Sequence, residues 1–187
     1  MDQSLLAQFD LAEKVAIVTG VSRGLGISFA RGLAKAGCDL AITARSFDPL
    51  EKVAGELEAY GRRVLPIKAD VCNRKEVENM LDQTLGKFGR VDILVNNAGI
   101  SAVADAEEMT AEQWQSVIDT NLTGLFRCAQ CVGRQMLKAG HGKIINIASM
   151  YSISAASYVS QVSYVASKSA VLGLTRELAV EWAPPEG

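Results

Sequence analysis

Residues 14–26 read KVAIVTGVSRGLG. A short apolar run (14–20) ends at Gly20 and passes directly into a glycine-spaced loop and a helical pattern. A continuous apolar run bounded by a turn signal reads as a buried strand. The helix is expected from about Arg23 to Ala36, with Gly37 as its stop. A buried strand feeding a helix at once is the first half of a βαβ unit. The fold depends on whether the chain repeats it.

The pattern recurs along the chain. CDLAITA (38–44) is a second strand. Asp48-Pro49-Leu50-Glu51 then supplies an N-cap, a proline at the first helical position and an acid at the third, for a helix to Tyr60. RVLPIKAD (63–70) is a third strand. Its Pro66 cannot donate to a ladder and fits a sheet edge. Asn73 to Glu76 opens a helix with a capping-box-like pattern, lasting to about Phe88. VDILVNN (91–97) is strand four. Thr110-Ala111-Glu112-Gln113 is a capping box before the longest helical stretch, to about Ala139, with a break expected near Asn121. KIINIAS (143–149) is strand five, and a Ser/Ala-rich loop (150–161) leads to a last helix over about 162–182. Strands separated by helices, joined by right-handed crossovers, give one α/β domain over 1–187. The expected fold is a doubly wound Rossmann sheet, parallel, in order 3-2-1-4-5, with helices on both faces.

Composition agrees with one globular domain: 187 residues, 49% apolar and 21% charged. Nineteen Lys+Arg against 21 Asp+Glu give a net charge of −2, no electrostatic case for nucleic acid or an anionic membrane. No apolar run approaches membrane-spanning length. The N-terminus, MDQSLLAQFDLAEK, has acids where a signal peptide needs a basic segment, so the reading is cytoplasmic. Cys38, Cys72, Cys128 and Cys131 are then expected reduced. Cys128 and Cys131 form a CxxC, but inside a helical pattern and without a second pair, so packing is expected rather than redox or zinc chemistry. His141, the sole histidine, sits in the turn AGHGK and reads as solvent-exposed, which disfavours a His-based triad or a metal site. Asp105, Glu107 and Glu108 read as a solvated loop.

The loop TGVSRGLG (19–26) has Gly20, Gly24 and Gly26 in GxxxGxG spacing. Glycines let the backbone turn tightly and approach a phosphate, and the following helix start supplies unpaired N–H groups. After the first strand of a βαβ unit this points to a dinucleotide. No Gly-Lys-Ser/Thr follows, so it is not a P-loop. Strand two ends ITARS, with Ala44 and Arg45 and no acid for a ribose 2′-OH. Arg45, with Arg23 in the glycine loop, suits a 2′-phosphate, which favours NADP(H) over NAD(H).

TGVSRGLG, NNAG (96–99), Asn121 and YVASK (164–168), in that order, resemble the short-chain dehydrogenase/reductase family from about Phe9 onward. The resemblance implies that Gly20, Ser22, Arg23, Gly24, Leu25 and Gly26 line the cofactor phosphates. It puts Asp70 and Val71 by the adenine and Asn97, Ala98 and Gly99 by the inner ribose. It makes Tyr164 the acid/base, has Lys168 also hydrogen-bond the nicotinamide ribose, and gives Asn121 a water that links Lys168 to solvent. The family's serine orients the substrate oxygen. Ser149 matches by strand context, but it lies fifteen residues before Tyr164, about two more than usual, and Ser152 and Ser154 compete with it.

YxxxK also makes chemical sense by itself. Residues i and i+4 share one helix face, so Tyr164 and Lys168 point into one space. A free phenol titrates near pH 10, and lowering that by about three units needs roughly 4 kcal/mol. A cation about 4 Å away, at an effective dielectric of about 20, supplies on the order of 4 kcal/mol. Tyr60, Tyr151 and Tyr158 have no lysine at i+4.

Family members normally continue past the point where this chain reads EWAPPEG, into a sixth strand, a substrate lobe and a seventh strand. The expectation is a sheet without its last two strands, strand five left as an apolar edge. The function expected is NAD(P)-dependent interconversion of a carbonyl and a secondary alcohol on a small molecule. Sugar-acid dehydrogenases and 3-oxoacyl-carrier-protein reductases are both open. The competing reading is a non-catalytic dinucleotide-binding fragment. The helices over 111–139 and 162–182 are dimer faces in the family, so a homo-dimer or homo-tetramer is expected.

Overall fold

The computed structural model describes residues 9–156 and 158–183. The readings made on the first eight residues and on the last four lie outside them. Five strands, β1 (Val15–Thr19), β2 (Asp39–Ala44), β3 (Val64–Lys68), β4 (Ile93–Asn96) and β5 (Lys143–Asn146), form one sheet in the order β3-β2-β1-β4-β5. Every pairing is parallel, with Ile17 opposite Ala41 on one side and Leu94 on the other. The helices are α1 (Leu25–Lys35), α2 (Asp48–Glu58), α3 (Arg74–Phe88), α4 (Ala111–Ile118), α5 (Leu125–Ala139) and α6 (Val162–Glu181). A π-helical segment (Asp119–Gly124) separates α4 from α5, and a 3₁₀ turn (Met150–Ser152) follows β5.

The alternation along β1 explains the two layers. Ala16 and Val18 face one core with Leu40, Ile42, Ala30, Ala34, Leu50 and Leu57, roofed by α1 and α2. Ile17 faces the other, with Ala41, Leu94, Val77, Met80, Cys128 and Val132 under α3 and α5. Burying each large aliphatic side chain stabilises by about 1.5–3 kcal/mol. All five residues of β1 are buried, as a central parallel strand requires. Pro66 lies on edge strand β3 opposite Ile42, where its missing N–H costs no ladder bond with a second neighbour. At the other edge β5 alternates exposed and half-buried residues, and Ile145 is 47% exposed.

The strands are shorter than their apolar runs, trimmed at one or both ends. The capping box at Thr110 and Gln113 is formed as expected. At α2 the reading is corrected. Phe47 is the N-cap and no side chain caps it; its carbonyl accepts from the N–H of Leu50 and Glu51. Asp48 is the first helical residue, where its charge still complements the helix dipole. Gly37 closes α1, with Gly37 N–H to Ala34 O and Cys38 N–H to Leu33 O.

The N-terminal ends of the strands are tied by charge. Asp92 is buried and accepts the N–H of Val15 at 2.9 Å and Nε–H of Arg90 at 2.8 Å. Burial works to raise its carboxyl, but the Arg90 and Val15 hydrogen bonds outweigh that and hold it below the usual carboxylate range. His141 is half-exposed, yet its Nδ1 lies 3.6 Å from Asp92 Oδ1. The lone histidine therefore leans on this structural cluster, at the opposite end of the strands from the glycine loop.

Candidate functional site

At the C-terminal end of β1 the chain turns through Gly20 and Gly24, both at positive φ (72° and 65°). A Cβ on Gly20 would stand 2.8 Å from Ala98 Cα, and one on Gly26 would overlap the Gly20 carbonyl oxygen. The loop is pinned from β4. Asn97 Nδ2 donates to Thr19 O (2.9 Å) and Gly20 O (3.0 Å), and Thr19 Oγ1 accepts the N–H groups of Asn97 and Ala98, each at 3.0 Å. NNAG therefore holds the glycine loop in shape through hydrogen bonds as well as through close packing.

Over these strand ends lies a cleft of about 720 Å³. Its walls are Gly20, residues 22–25, 43–46, 49, 69–71 and 97–100, and Thr120. It spans the point where connections leave β1 and β4 in opposite directions, the usual ligand crevice of an open α/β sheet. Ser22, Arg23, Leu25, Arg45, Asp70, Val71, Asn97, Ala98 and Gly99 all lie on its wall. Gly26 is buried one step behind it. Arg23 and Arg45 are exposed and make no ion pair or side-chain hydrogen bond among the described residues. Thr43, Ser46, Pro49 and Thr120 line the cleft without having been singled out in the sequence. Thr43 Oγ1 is buried and has no hydrogen-bond partner. An orphaned hydroxyl, two free guanidinium groups and a glycine cradle fit an anionic, phosphate-bearing ligand.

The floor near Asp70 is set by α3. Asn73 Oδ1 caps the N–H groups of Lys75 and Glu76. Glu76 does not return to the Asn73 N–H, as a full capping box would. Its Oε2 accepts the N–H of Asp70 at 2.8 Å, and its Oε1 accepts from Asn73 Nδ2. Helix cap and cleft wall are thus one network. Gly124 lets the π segment pass against Val71, whose Cγ2 would be 2.7 Å from a Cβ there.

Beyond Gly99 the remaining expected residues converge. The position of a Gly99 Cβ lies 3.3 Å from Asn121 Oδ1 and 3.6 Å from Lys168 Nζ. Asn121 is fully buried in the π segment, where the sequence placed a helix break. Both its amide protons are used, Nδ2 donating to Ile100 O (2.9 Å) and Ser167 Oγ (3.1 Å), and Oδ1 accepts the Ile100 N–H (2.8 Å). Lys168 is 4% exposed, and its Nζ donates to Ile147 O at 2.6 Å. Burial pushes its ammonium down to about 8. Half-buried Tyr164 is its neighbour one turn earlier, with Nζ 5.9 Å from the ring centroid.

The three serines differ. Ser152 Oγ donates to Lys168 O (2.8 Å) and Ser154 Oγ to Met150 O (2.9 Å). Ser149 Oγ accepts the Tyr151 N–H at 3.2 Å and donates to no group among the described residues. Ser167 and the carbonyl of Ile147 were not legible as site residues, and Ser152 was read only as a competitor of Ser149, because the bonds that place them reach Asn121 and Lys168, far away in sequence. Among the control tyrosines, Tyr158 is 97% exposed, whereas Tyr60 does meet a cation, Lys35 of α1, 5.5 Å over its ring. Cys128 and Cys131 both lie within α5; Cys128 is fully buried and its thiol is pushed up to about 12 by burial. Cys128 is thus a packing residue of the core under α5.

No helix among the described residues is long and apolar enough to cross a membrane. The sequence matches the family described as short chain dehydrogenase over residues 14–186. It is 45% identical over 180 residues to a 2-dehydro-3-deoxy-D-gluconate 5-dehydrogenase of Dickeya dadantii, covering 96% of this chain and 70% of that protein. It is 41% identical over 174 residues to a 3-oxoacyl-[acyl-carrier-protein] reductase of Synechocystis, covering 92% and 70%. A crystal structure of a short-chain type dehydrogenase/reductase from Mycobacterium marinum superposes with a TM-score of 0.95 at 42% identity, covering 97% of this chain and 74% of that one. With the glycine loop, NNAG, Asn121 and YVASK in the places just described, the chain belongs to the short-chain dehydrogenase family of oxidoreductases.

Proposed function

We propose that the chain is an NADP(H)-dependent oxidoreductase that interconverts a carbonyl and a secondary alcohol, with Tyr164 carrying the proton. The observation that carries this reading is the convergence of Lys168 Nζ, Asn121 and Gly99 at one end of the cleft, with Tyr164 one helical turn before Lys168. When bound, the nicotinamide supplies or accepts the hydride. Gly20 and residues 22–26 hold the phosphates, Arg23 and Arg45 the 2′-phosphate, Asp70 and Val71 border the adenine, and Asn97 to Gly99 border the inner ribose. Tyr164 gives its proton to the substrate oxygen in reduction and takes it back in oxidation. Ser149, whose hydroxyl proton is uncommitted, holds that oxygen. Lys168, fixed on Ile147 O, hydrogen-bonds the ribose and places its charge on the Tyr164 side of the cleft. Asn121 holds the water that links Lys168 to solvent as a proton relay.

The names of the relatives put the substrate among sugar acids or 3-oxoacyl thioesters. The four cysteines, all free, suit a reducing cytoplasmic setting. Apolar side chains exposed on α4, α5 and α6 (Trp114, Phe126, Leu137, Val180) support a homo-dimer or homo-tetramer through these helices.

Turnover of the purified chain tests the proposal. Oxidation of NADPH with an acetoacetyl thioester, or reduction of NADP⁺ with 2-dehydro-3-deoxy-D-gluconate, is expected above the rate without protein. NADPH binding with neither reaction would favour a non-catalytic dinucleotide module. Arg45→Ala is expected to weaken NADPH roughly tenfold and leave NADH unchanged, because only the 2′-phosphate loses a charge-assisted hydrogen bond. Calorimetric titration of both cofactors checks this; an equal loss for both would remove Arg45 from that role.

A further inference from the structure

Ser149 lies fifteen positions before Tyr164, and a long loop joins its turn to α6. Ser152 spans that gap directly. Its hydroxyl accepts the N–H of Ser149 at 3.1 Å and donates to the carbonyl of Lys168 at 2.8 Å. Its own carbonyl accepts Ser169 Oγ at 3.1 Å. One serine hydroxyl has a single proton to give, and here that proton crosses from the turn to the helix. Lys168 is thereby held at both ends, with Nζ on Ile147 O and its backbone carbonyl on Ser152 Oγ. These two anchor points flank Ser149 in the sequence, so residues 147–152 and Lys168 close a ring around it. Ser154 differs, because its hydroxyl bonds only within its own turn, to Met150 O.

We propose that Ser152 is a positioning residue for the reaction: its hydroxyl clasps the Ser149 turn to the Lys168 backbone and so sets Ser149 against Tyr164. This rests on the roles proposed above for Ser149, Tyr164 and Lys168. A reacting group held by one clasp is sensitive to its removal, since small misplacements at a reacting centre cost large factors in rate.

The test compares Ser152→Ala, Ser152→Thr and Ser169→Ala with the parent 187-residue chain. Three readouts are taken: NADPH affinity by calorimetry, hydrogen exchange of the Ser149 amide, and kcat and KM with an acetoacetyl thioester and 2-dehydro-3-deoxy-D-gluconate as probes. Ser152→Ala is expected to keep NADPH affinity within about twofold. It is expected to speed exchange at the Ser149 amide about tenfold or more, because the acceptor is gone. It should lower kcat about tenfold with the KM for NADPH unchanged. Ser152→Thr, which keeps the hydroxyl, should restore both exchange and kcat. Ser169→Ala, which leaves that hydroxyl in place, should match the parent. Parent-like exchange and kcat in Ser152→Ala would overturn the proposal. So would a Ser152→Thr chain that binds NADPH normally yet fails to recover kcat. If the parent turns over neither probe while Ser152→Ala still loosens Ser149, the clasp stands and the oxidoreductase reading falls.

Discussion

Tyr164→Phe is expected to bind NADPH as the parent chain does and to lower kcat for carbonyl reduction by about 10²–10⁴-fold, the usual worth of a positioned general acid. The substitution deletes one oxygen from a half-buried side chain whose hydroxyl makes no hydrogen bond to the protein among the described residues. Folding and cofactor binding therefore have little to lose. Lys168 stays on Ile147 O, and the cleft walls are untouched. Steady-state kinetics beside calorimetry separate the two effects; a loss under tenfold would take the proton-carrying role from Tyr164. The same site sets a pH dependence. Burial brings the Lys168 ammonium down to about 8, so below that pH the site holds a cation and a spare proton, and above it holds neither. Reduction consumes a proton through Tyr164. Its rate is expected to fall as pH rises through about 8.

Gly26→Ala is expected to destabilise the chain by about 2–4 kcal/mol and to abolish measurable NADPH binding. Overpacking a well-filled site costs about 1–3 kcal/mol, and more where backbone must move. Here the added methyl would overlap the Gly20 carbonyl and stand 2.7 Å from Asn97 Nδ2. Neither neighbour is the free end of a flexible side chain. The carbonyl is backbone at positive φ, and Asn97 Nδ2 is fixed by donating to Thr19 O and Gly20 O. Relief requires breaking the bonds that shape the loop. Gly32→Ala, in the same helix with nothing within 4 Å of the new methyl, is the control. It should raise stability by about 0.5–1 kcal/mol, as alanine does over glycine in a helix interior. Urea unfolding of the two variants reads the contrast; equal stabilities would mean that the loop has slack which the packing denies.

The strands themselves and the glycine loop were legible because both rest on local signals, and right-handed crossovers then ordered the sheet. Apolar runs such as KVAIVTG, and glycine where φ is positive, are consequences of neighbours in sequence. Pro66 declared an edge by what it lacks, and Thr110 with Gln113 declared a helix start by spacing. Asp48 misled because residue type suggested a cap that the geometry gave to the Phe47 backbone. Glu76 does more than a capping box asks: one oxygen takes the Asn73 side chain at the cap and the other the Asp70 N–H of the preceding loop. The far end of the site was readable as Tyr164, Lys168, Asn121 and Ser149, with Ser152 and Ser154 competing for the last, through the family pattern. Its supports, Ile147 O, Ser152 and Ser167, join residues 16 to 46 positions apart through backbone groups or buried hydroxyls, and nothing local marks them. The same holds for Thr43, whose side chain becomes unusual only once burial leaves its hydroxyl without a partner.

Titration calorimetry of the 187-residue chain with NADPH and with NADH tests the central claim most directly. The account predicts saturable one-site binding of NADPH, at least about tenfold tighter than NADH, through the 2′-phosphate at Arg23 and Arg45. NADH binding as tight as or tighter than NADPH would contradict the roles given to the two arginines. Binding of neither would contradict the assignment of the cleft itself.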